Sequence, residues 1–140
     1  MPEPIPFVSN DKKINFNGKH ILIAEDEPIN MLVCFKMLQA CNATVSKAAT
    51  GNEVIQILKE GVKPDLILLD IKMPEMDGYI TLEKIKEIYP DIIVLAFTAS
   101  LIDAETEKLL VNMGFSGAIP KPFKPEFFFE KISNALGMPK

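Results

Sequence analysis

The feature that most constrains the fold of this chain is a set of short apolar runs that do not alternate with polar residues. HILIA (20–24), DLILLD (65–70) and DIIVLAF (91–97) are nearly continuous in apolar side chains. A strand of this kind is apolar on both faces, which is typical of a parallel sheet that helices cover on both sides. The runs therefore predict a sheet buried between two layers of helices.

Helical stretches separate the strands in a regular alternation. ATVSKA (43–48) and GAIP (117–120) bring the number of predicted strands to five. Pro28 suits the first turn of a helix and Gly114 a helix end. We expect helices over 28–41, 51–61, 79–88, 102–113 and 125–136, and a turn over 74–79. Five strands alternating with five helices predict a doubly wound parallel α/β fold.

The domain organisation follows from length and proline content. A chain of 140 residues is of ordinary size for one domain. Three prolines near the start, Pro2, Pro4 and Pro6, indicate a linker or arm over residues 1–17. We therefore expect one folded domain over residues 18–140.

Charge and cysteine content exclude several classes of partner and site. A formal net charge of −4 disfavours nucleic acid and polybasic membrane binding. No window approaches the roughly 18 apolar residues of a membrane span, and no signal peptide is visible, so we expect no membrane contact by this domain. Cys34 and Cys41 lie too far apart on one predicted helix for a disulfide and, with His20, have the wrong spacing for zinc. We expect reduced thiols in a cytoplasmic protein.

Polar residues follow four of the predicted strands, at the edge where doubly wound folds place their site. Glu25 and Asp26 follow the first strand, Asp70 ends the third, Thr98 ends the fourth and Lys121 follows the fifth. Clustered carboxylates repel each other unless a cation joins them, and oxygen ligands suit Mg²⁺. A lysine opposite them suits a phosphoryl group, to which a threonine hydroxyl can hydrogen-bond. The sequence therefore predicts a site for Mg²⁺ and a phosphoryl group.

Four motifs, in this order, resemble the receiver domain of two-component response regulators: ILIAEDEP, DLILLDIKMPEMDG, VLAFTAS and IPKPF. The resemblance covers roughly residues 19–137. It implies a flavodoxin-like (βα)5 sandwich whose five-stranded parallel sheet has the order 2-1-3-4-5. It also implies a cis bond between Lys121 and Pro122, an isomer that proline makes accessible.

The same resemblance implies a role for each residue of the site. Asp70 would accept a phosphoryl group from a phosphohistidine, and Thr98 and Lys121 would contact the phosphoryl oxygens. The implied ligands of Mg²⁺ are Glu25, Asp26, Asp70 and the main-chain carbonyl of Lys72. Glu27, by contrast, we interpret as a helix cap or a solvated charge.

The resemblance further implies how the domain acts and with what. A receiver catalyses its own phosphorylation and dephosphorylation and is not otherwise an enzyme; it switches conformation or passes the phosphoryl group on. AEDEPIN most resembles the receivers of hybrid histidine kinases, so the expected partner is a histidine kinase dimerisation domain or a histidine phosphotransfer protein. The alternatives are a stand-alone single-domain response regulator and a pseudo-receiver that is not phosphorylated. We expect a monomer or weak dimer.

The chain departs from the commonest receiver pattern at one position of the fifth strand, and a second feature is the aromatic run that follows this strand. Many receivers have Tyr or Phe three residues before the lysine, where this chain has Ala118, so the usual movable ring is missing. Phe128, Ile132 and Leu136 form an i, i+4 stripe that predicts a core face, with Phe127 or Phe129 partly exposed as a weak candidate for a dimer contact.

The helix after the first strand is apolar on two sides when projected at about 100° per residue. We expect its core face to contain Asn30, Val33, Cys34, Met37 and Cys41. An outer helix cannot bury both sides, so the other side predicts a partner surface. We predict that a helical partner contacts Ile29, Met31, Leu32 and Phe35; the alternative is scattered exposed apolar residues.

Other proteins that bind phosphate groups fit the sequence poorly. A flavin-binding flavodoxin needs a loop after the first strand that cradles phosphate, which Glu25, Asp26 and Glu27 would repel. No G-x-G-x-x-G follows a strand, so dinucleotide binding is not indicated. An aspartyl phosphatase would need Asp-x-Asp on the first strand, where Ala24 stands two residues before Asp26.

Overall fold

A computed structural model describes residues 14–73, 76–98 and 103–137. The strands are β1 (His20–Ala24), β2 (Thr44–Ala48), β3 (Leu66–Asp70), β4 (Ile93–Thr98) and β5 (Gly117–Pro120). The helices are α1 (Pro28–Ala40), α2 (Gly51–Lys59), α3 (Gly78–Ile88), α4 (Ala104–Met113) and α5 (Pro125–Ala135). All paired strands are parallel, in the order β2-β1-β3-β4-β5, which confirms the predicted doubly wound, flavodoxin-like fold.

Small shifts at element ends have local causes. β4 begins at Ile93, two residues later than expected, because the Ile92 N–H is used in a turn to the carbonyl of Tyr89. Gly114 ends α4 with a left-handed φ of 119°, a conformation that favours glycine. The expected start of this helix at 102, and residues 74–75 of the predicted turn, lie outside the described residues.

The apolar strands are buried on both faces because two separate cores flank the sheet. α1 and α5 cover one face with side chains that include Met37 and Phe128, while α2, α3 and α4 cover the other with side chains that include Val54 and Leu82. Every residue of β3 is buried, and its side chains alternate between the two cores. This explains the continuous apolar pattern from which the fold was predicted.

Both cysteines are free and buried in the core beneath α1, as expected. Burial raises the pKa of the Cys34 thiol to about 12, so this group stays protonated at neutral pH. Within the described residues, no helix is long and apolar enough to cross a bilayer.

Phe16 precedes the first strand and lies wholly inside the domain. Its side chain is 0% exposed, and its ring centroid lies 6.3 Å from that of Phe129 on α5. Its N–H donates to the carbonyl of Cys41, and the N–H of Gly18 donates to that of Asn42. The end of the predicted arm is therefore held against the core, which the proline-rich sequence did not indicate; residues 1–13 lie outside the described residues.

The aromatic run on α5 divides as the i, i+4 stripe predicted. Phe128 and Ile132 are fully buried, and Leu136 packs against the same core. Phe129 is 3% exposed and Phe127 is 39% exposed, so Phe127 is the outward-facing member of the run.

Phe16→Ala is expected to lower the free energy of unfolding by about 3–5 kcal/mol, because it leaves a ring-sized cavity in the core. Phe127→Ala is the matched control on an exposed ring and should cost about 1 kcal/mol or less. Urea denaturation followed by circular dichroism measures both. Similar small losses for the two variants would show that Phe16 is not part of the stable core.

Candidate functional site

The sequence-predicted site residues meet at the carboxyl edge of the sheet. β1 lies between β2 and the central strand β3. The loop after β1 carries Glu25 and Asp26, and Asp70 is the last residue of β3. Thr98 ends β4, and Lys121 follows β5, where its N–H donates to the carbonyl of Thr98 over 2.7 Å. The chain order of the strands reverses at β1, which is the place where doubly wound folds form their sites.

Three carboxylates lie within reach of one metal ion. One oxygen from each of Glu25, Asp26 and Asp70 can be chosen so that all three lie within 4.8 Å of one another. Glu25 is 1% exposed and Asp70 is 4% exposed, whereas Asp26 is exposed to solvent. The site thus has two buried acidic groups at its floor and one at its rim.

Lys121 joins the two buried carboxylates. Its Nζ lies 3.0 Å from Glu25 Oε1 and 3.0 Å from Asp70 Oδ2, and it donates a hydrogen bond to each. The second oxygen of Asp70 accepts the N–H of Lys72 over 3.1 Å, and that of Glu25 accepts the N–H of Glu27 over 3.1 Å. Both carboxylates are therefore fixed in orientation by donors on each side.

Burial and the attraction between opposite charges have opposing effects on the pKa values of Glu25 and Lys121. Burial raises the pKa of Glu25 above its usual value, despite the opposing effects of the Glu27 N–H and the Lys121 ammonium. Burial alone would lower the pKa of Lys121, but its hydrogen bonds to Glu25 and Asp70 outweigh this and raise the pKa overall. The ammonium group therefore remains charged at neutral pH.

The charge of the site suits a divalent cation. Three carboxylates face one ammonium group, which leaves a formal excess of two negative charges. Carboxylate oxygens are the donors that Mg²⁺ prefers, and the exposed position of Asp26 leaves the rim open to water ligands. On the chemistry of its donors, the cluster fits Mg²⁺.

The cluster forms the floor of an open cleft of about 800 Å³. Lys72 and Thr98 line it, as do side chains that the sequence analysis did not assign to the site. These additional lining residues are Glu27, Ile71, Met73, Asp77 and Tyr79. No pattern in the sequence singled out Tyr79, because an aromatic residue near a helix start is usually a packing residue.

Two of the acidic residues in the cleft cap helices. The Glu27 carboxylate accepts the N–H of Ile29 at the start of α1, in agreement with its interpretation as a cap. Asp77 accepts the N–H of Ile80 at the start of α3. The next residue is Gly78. A Cβ at this position would lie 2.6 Å from the Ile71 Cα, so only glycine lets α3 approach the loop after Asp70 this closely.

The four residues of the predicted partner surface on α1 differ in their exposure to solvent. Ile29 is 69% exposed and Leu32 is 52% exposed, as expected of an outer face. Met31 and Phe35 are half-buried and pack against the core, and Lys47 of β2 lies 4.3 Å from the Phe35 ring centroid. These two residues are therefore less exposed than Ile29 and Leu32, because β2 extends beneath that side of the helix.

The predicted core face of α1 needs one further correction. Cys34, Met37 and Cys41 are buried and Val33 is partly buried, but Asn30 is exposed. Asn30 lies in the first turn, at the open cleft edge of the sheet, where a polar side chain stays hydrated. Leu38, which was not assigned, is buried instead.

Comparison with known proteins identifies the family. The model of the "Response regulator receiver domain" family matches residues 21–133. This chain belongs to that family. The bond between Lys121 and Pro122 is cis, as the resemblance to receivers implied.

Relatives of this receiver include the sensor protein TorS of Escherichia coli, which is 25% identical over 133 residues, 95% of this chain and 14% of TorS. The sensor kinase CckA of Brucella abortus is 32% identical over 84% of this chain and 13% of CckA. The receiver therefore spans about a seventh of the length of these two relatives.

A solved structure with the same fold is the receiver domain of the sensor histidine kinase PA1611 from Pseudomonas aeruginosa, described with a magnesium ion coordinated in its active site cleft. It is 28% identical to this receiver, with a TM-score of 0.75, and the match covers 86% of this chain and 98% of that one.

Lys121→Met should lower the free energy of unfolding by about 3 kcal/mol when no Mg²⁺ is present, because it leaves Glu25 and Asp70 buried without a counter-charge. Lys131→Met removes a comparable ion pair at the surface, 2.7 Å from Glu107, and should cost about 1 kcal/mol or less. Urea denaturation in EDTA measures both. Equal losses would show that the Lys121 contacts contribute no more than a surface ion pair.

Proposed function

We propose that this chain is a phosphorelay receiver in which Asp70 accepts a phosphoryl group from a phosphohistidine in a magnesium-dependent reaction. The observation that carries the proposal is the position of the Asp70 carboxylate at the floor of an open acidic cleft, with one oxygen bonded to Lys121 and the other to the Lys72 N–H. A carboxylate that is fixed in orientation and open to solvent on one side suits a nucleophile.

In the proposed reaction, an Asp70 carboxylate oxygen attacks the phosphorus atom of the donor. A new oxygen–phosphorus bond forms as the phosphorus–nitrogen bond to the donor imidazole breaks. The imidazole leaves with the bonding electron pair and takes up a proton, and Asp70 becomes an acyl phosphate. Attack and departure lie in line, so the donor has to approach from the open mouth of the cleft.

The residues around Asp70 offset the charge of the incoming group. The Lys121 ammonium already contacts Asp70 and can transfer its hydrogen bonds to a phosphoryl oxygen. Thr98 lines the cleft from the end of β4, where its hydroxyl would contact another phosphoryl oxygen. Glu25, Asp26, Asp70 and the carbonyl of Lys72 would hold Mg²⁺, which when bound supplies charge neutralisation between the two reacting anions.

Incubation with acetyl phosphate and MgCl₂ is expected to add the mass of one phosphoryl group to the chain, as measured by mass spectrometry of the intact protein. Asp70→Asn should abolish the gain because an amide cannot form an acyl phosphate. EDTA should abolish it in the unaltered protein because the two anions then repel each other without a metal ion.

Asp77→Asn is the matched control, since Asp77 lines the same cleft but caps α3, and asparagine caps a helix equally well. This variant should gain the phosphoryl mass normally. A chain that binds its partner but shows no mass gain under any of these conditions would be a pseudo-receiver, and the proposal would be wrong.

We further propose that the domain works within a hybrid histidine kinase, as its similarity to TorS and CckA suggests. In that setting, Asp70 receives the phosphoryl group from a kinase and passes it to a histidine phosphotransfer protein, or switches conformation. The proposed unit is the receiver predicted over 18–140, extended by the preceding residues from Ile14 that include the buried Phe16, and preceded by a linker. A cytoplasmic location and a monomeric or weakly dimeric state also remain predictions.

The proposed contact with a histidine-bearing helical partner involves the outward side of α1, beside the mouth of the cleft. Ile29 and Leu32 are large apolar side chains exposed within one turn of each other. Met31 and Phe35 flank them and are half-buried, so they would support the surface. A surface of this kind suits the apolar side of a helix, which would bring a histidine toward Asp70.

Ile29→Asp with Leu32→Asp is expected to reduce phosphotransfer from the cognate phosphohistidine partner at least about tenfold, since each charge has to be desolvated at the interface. Labelling by acetyl phosphate, which needs no docking helix, should be unchanged. Leu109→Asp, at a 60% exposed residue of α4, is the control for adding charge elsewhere. Unchanged transfer in the double variant would exclude α1 as the docking surface.

A further inference from the structure

Tyr79 stands between two depressions in the surface of the domain. It lines the acidic cleft, and it also lines a groove of about 390 Å³ between α3 and α4. Among the residues that the structure describes, Tyr79 alone lines both. The other residues of the groove are Ile80, Leu82, Glu83, Lys86 and Met113.

The Tyr79 ring packs edge-on against a buried phenylalanine. Its centroid lies 6.4 Å from that of Phe115 at an interplanar angle of 79°, and Phe115 is 2% exposed. Phe115 follows the left-handed Gly114 that ends α4 and lies two residues before β5. Tyr79 itself is 41% exposed. The ring therefore contacts a buried residue on one side, while much of the rest of its surface is exposed to solvent.

Charge added at Asp70 would act on this ring from one side. A phosphoryl group takes up space in the cleft and brings negative charge, which the electron-rich face of an aromatic ring disfavours. The groove on the other side is apolar near Leu82 and Met113, and a methionine sulfur is a favourable neighbour for a ring. The groove is therefore the better location for the ring once the cleft is filled.

Strand β5, where many receivers have their movable ring, contains no aromatic residue in this chain. Ala118 is 2% exposed and contributes only a methyl group to the core. We propose that Tyr79 is the movable aromatic residue of this receiver, and that phosphorylation of Asp70 drives its ring from the cleft wall into the groove between α3 and α4. The inference rests on the proposed phosphorylation of Asp70, and the surface it alters is that of the groove.

The chain provides its own reporter for this movement. It has no tryptophan and two tyrosines, Tyr79 and Tyr89. Tyr89→Phe leaves Tyr79 as the single tyrosine, and Tyr79→Phe leaves Tyr89, which lies at the end of α3 with Lys63 5.5 Å from its ring centroid. Both changes remove only a hydroxyl group, so both variants should fold.

Acrylamide quenching of tyrosine emission is measured in each variant before and after addition of beryllofluoride and MgCl₂, which imitate the phosphoryl group. In Tyr89→Phe the quenching constant should fall by about half as the 41% exposed ring enters the groove. In Tyr79→Phe, quenching of Tyr89 should not change. The third variant combines Tyr89→Phe with Asp70→Asn. Its quenching constant should not change when beryllofluoride and MgCl₂ are added.

Intact-mass measurement with acetyl phosphate on the same samples separates the two possible failures. If Asp70 gains the phosphoryl mass while the quenching of Tyr79 stays constant or rises, the inference about Tyr79 is wrong and the proposed function stands. If no mass is gained, the proposed function itself is wrong.

Discussion

The site depends on one interaction. The ammonium group of Lys121 donates hydrogen bonds to two buried carboxylates, those of Glu25 and Asp70. Glu25 and Asp70 come from neighbouring strands, and each would be costly to bury alone. Lys121 reaches both from the end of the sheet's edge strand and holds them close together. The parallel sheet makes this possible, because it brings the carboxyl ends of β1, β3 and β5 to one edge.

The same arrangement leaves the site incompletely neutralised. A cluster with excess negative charge suits a divalent cation, which would offset the negative charge of a phosphoryl group in the same cleft. Asp26 at the rim is exposed, while the two deeper carboxylates are oriented by main-chain N–H groups. In the proposed function, this charge balance is what allows the site to accept Mg²⁺ and then a phosphoryl group.

Much of this could be predicted from the sequence, because the signals were both local and repeated. Three continuous apolar runs indicated the three inner strands, and polar residues that suit one site lay at the ends of four of the five predicted strands. The helix projection was less successful, because it treats a helix as an isolated cylinder. It placed Phe35 outward and Asn30 inward, whereas the extent of β2 and the open end of the sheet decide those positions. No sequence pattern pointed to Tyr79, because its position between the acidic cleft and the groove beside α3 is visible only in the folded structure.

The burial of Phe16 has a consequence for how this domain can be separated from other segments. The family match begins at residue 21, five positions beyond a ring that fills the space between α1 and α5. A fragment cut at the family boundary would lack that ring and two main-chain hydrogen bonds to the loop before β2. Biophysical work on the isolated receiver should therefore use a fragment that begins before Ile14, since the conserved boundary of a family and the physical boundary of a fold need not coincide.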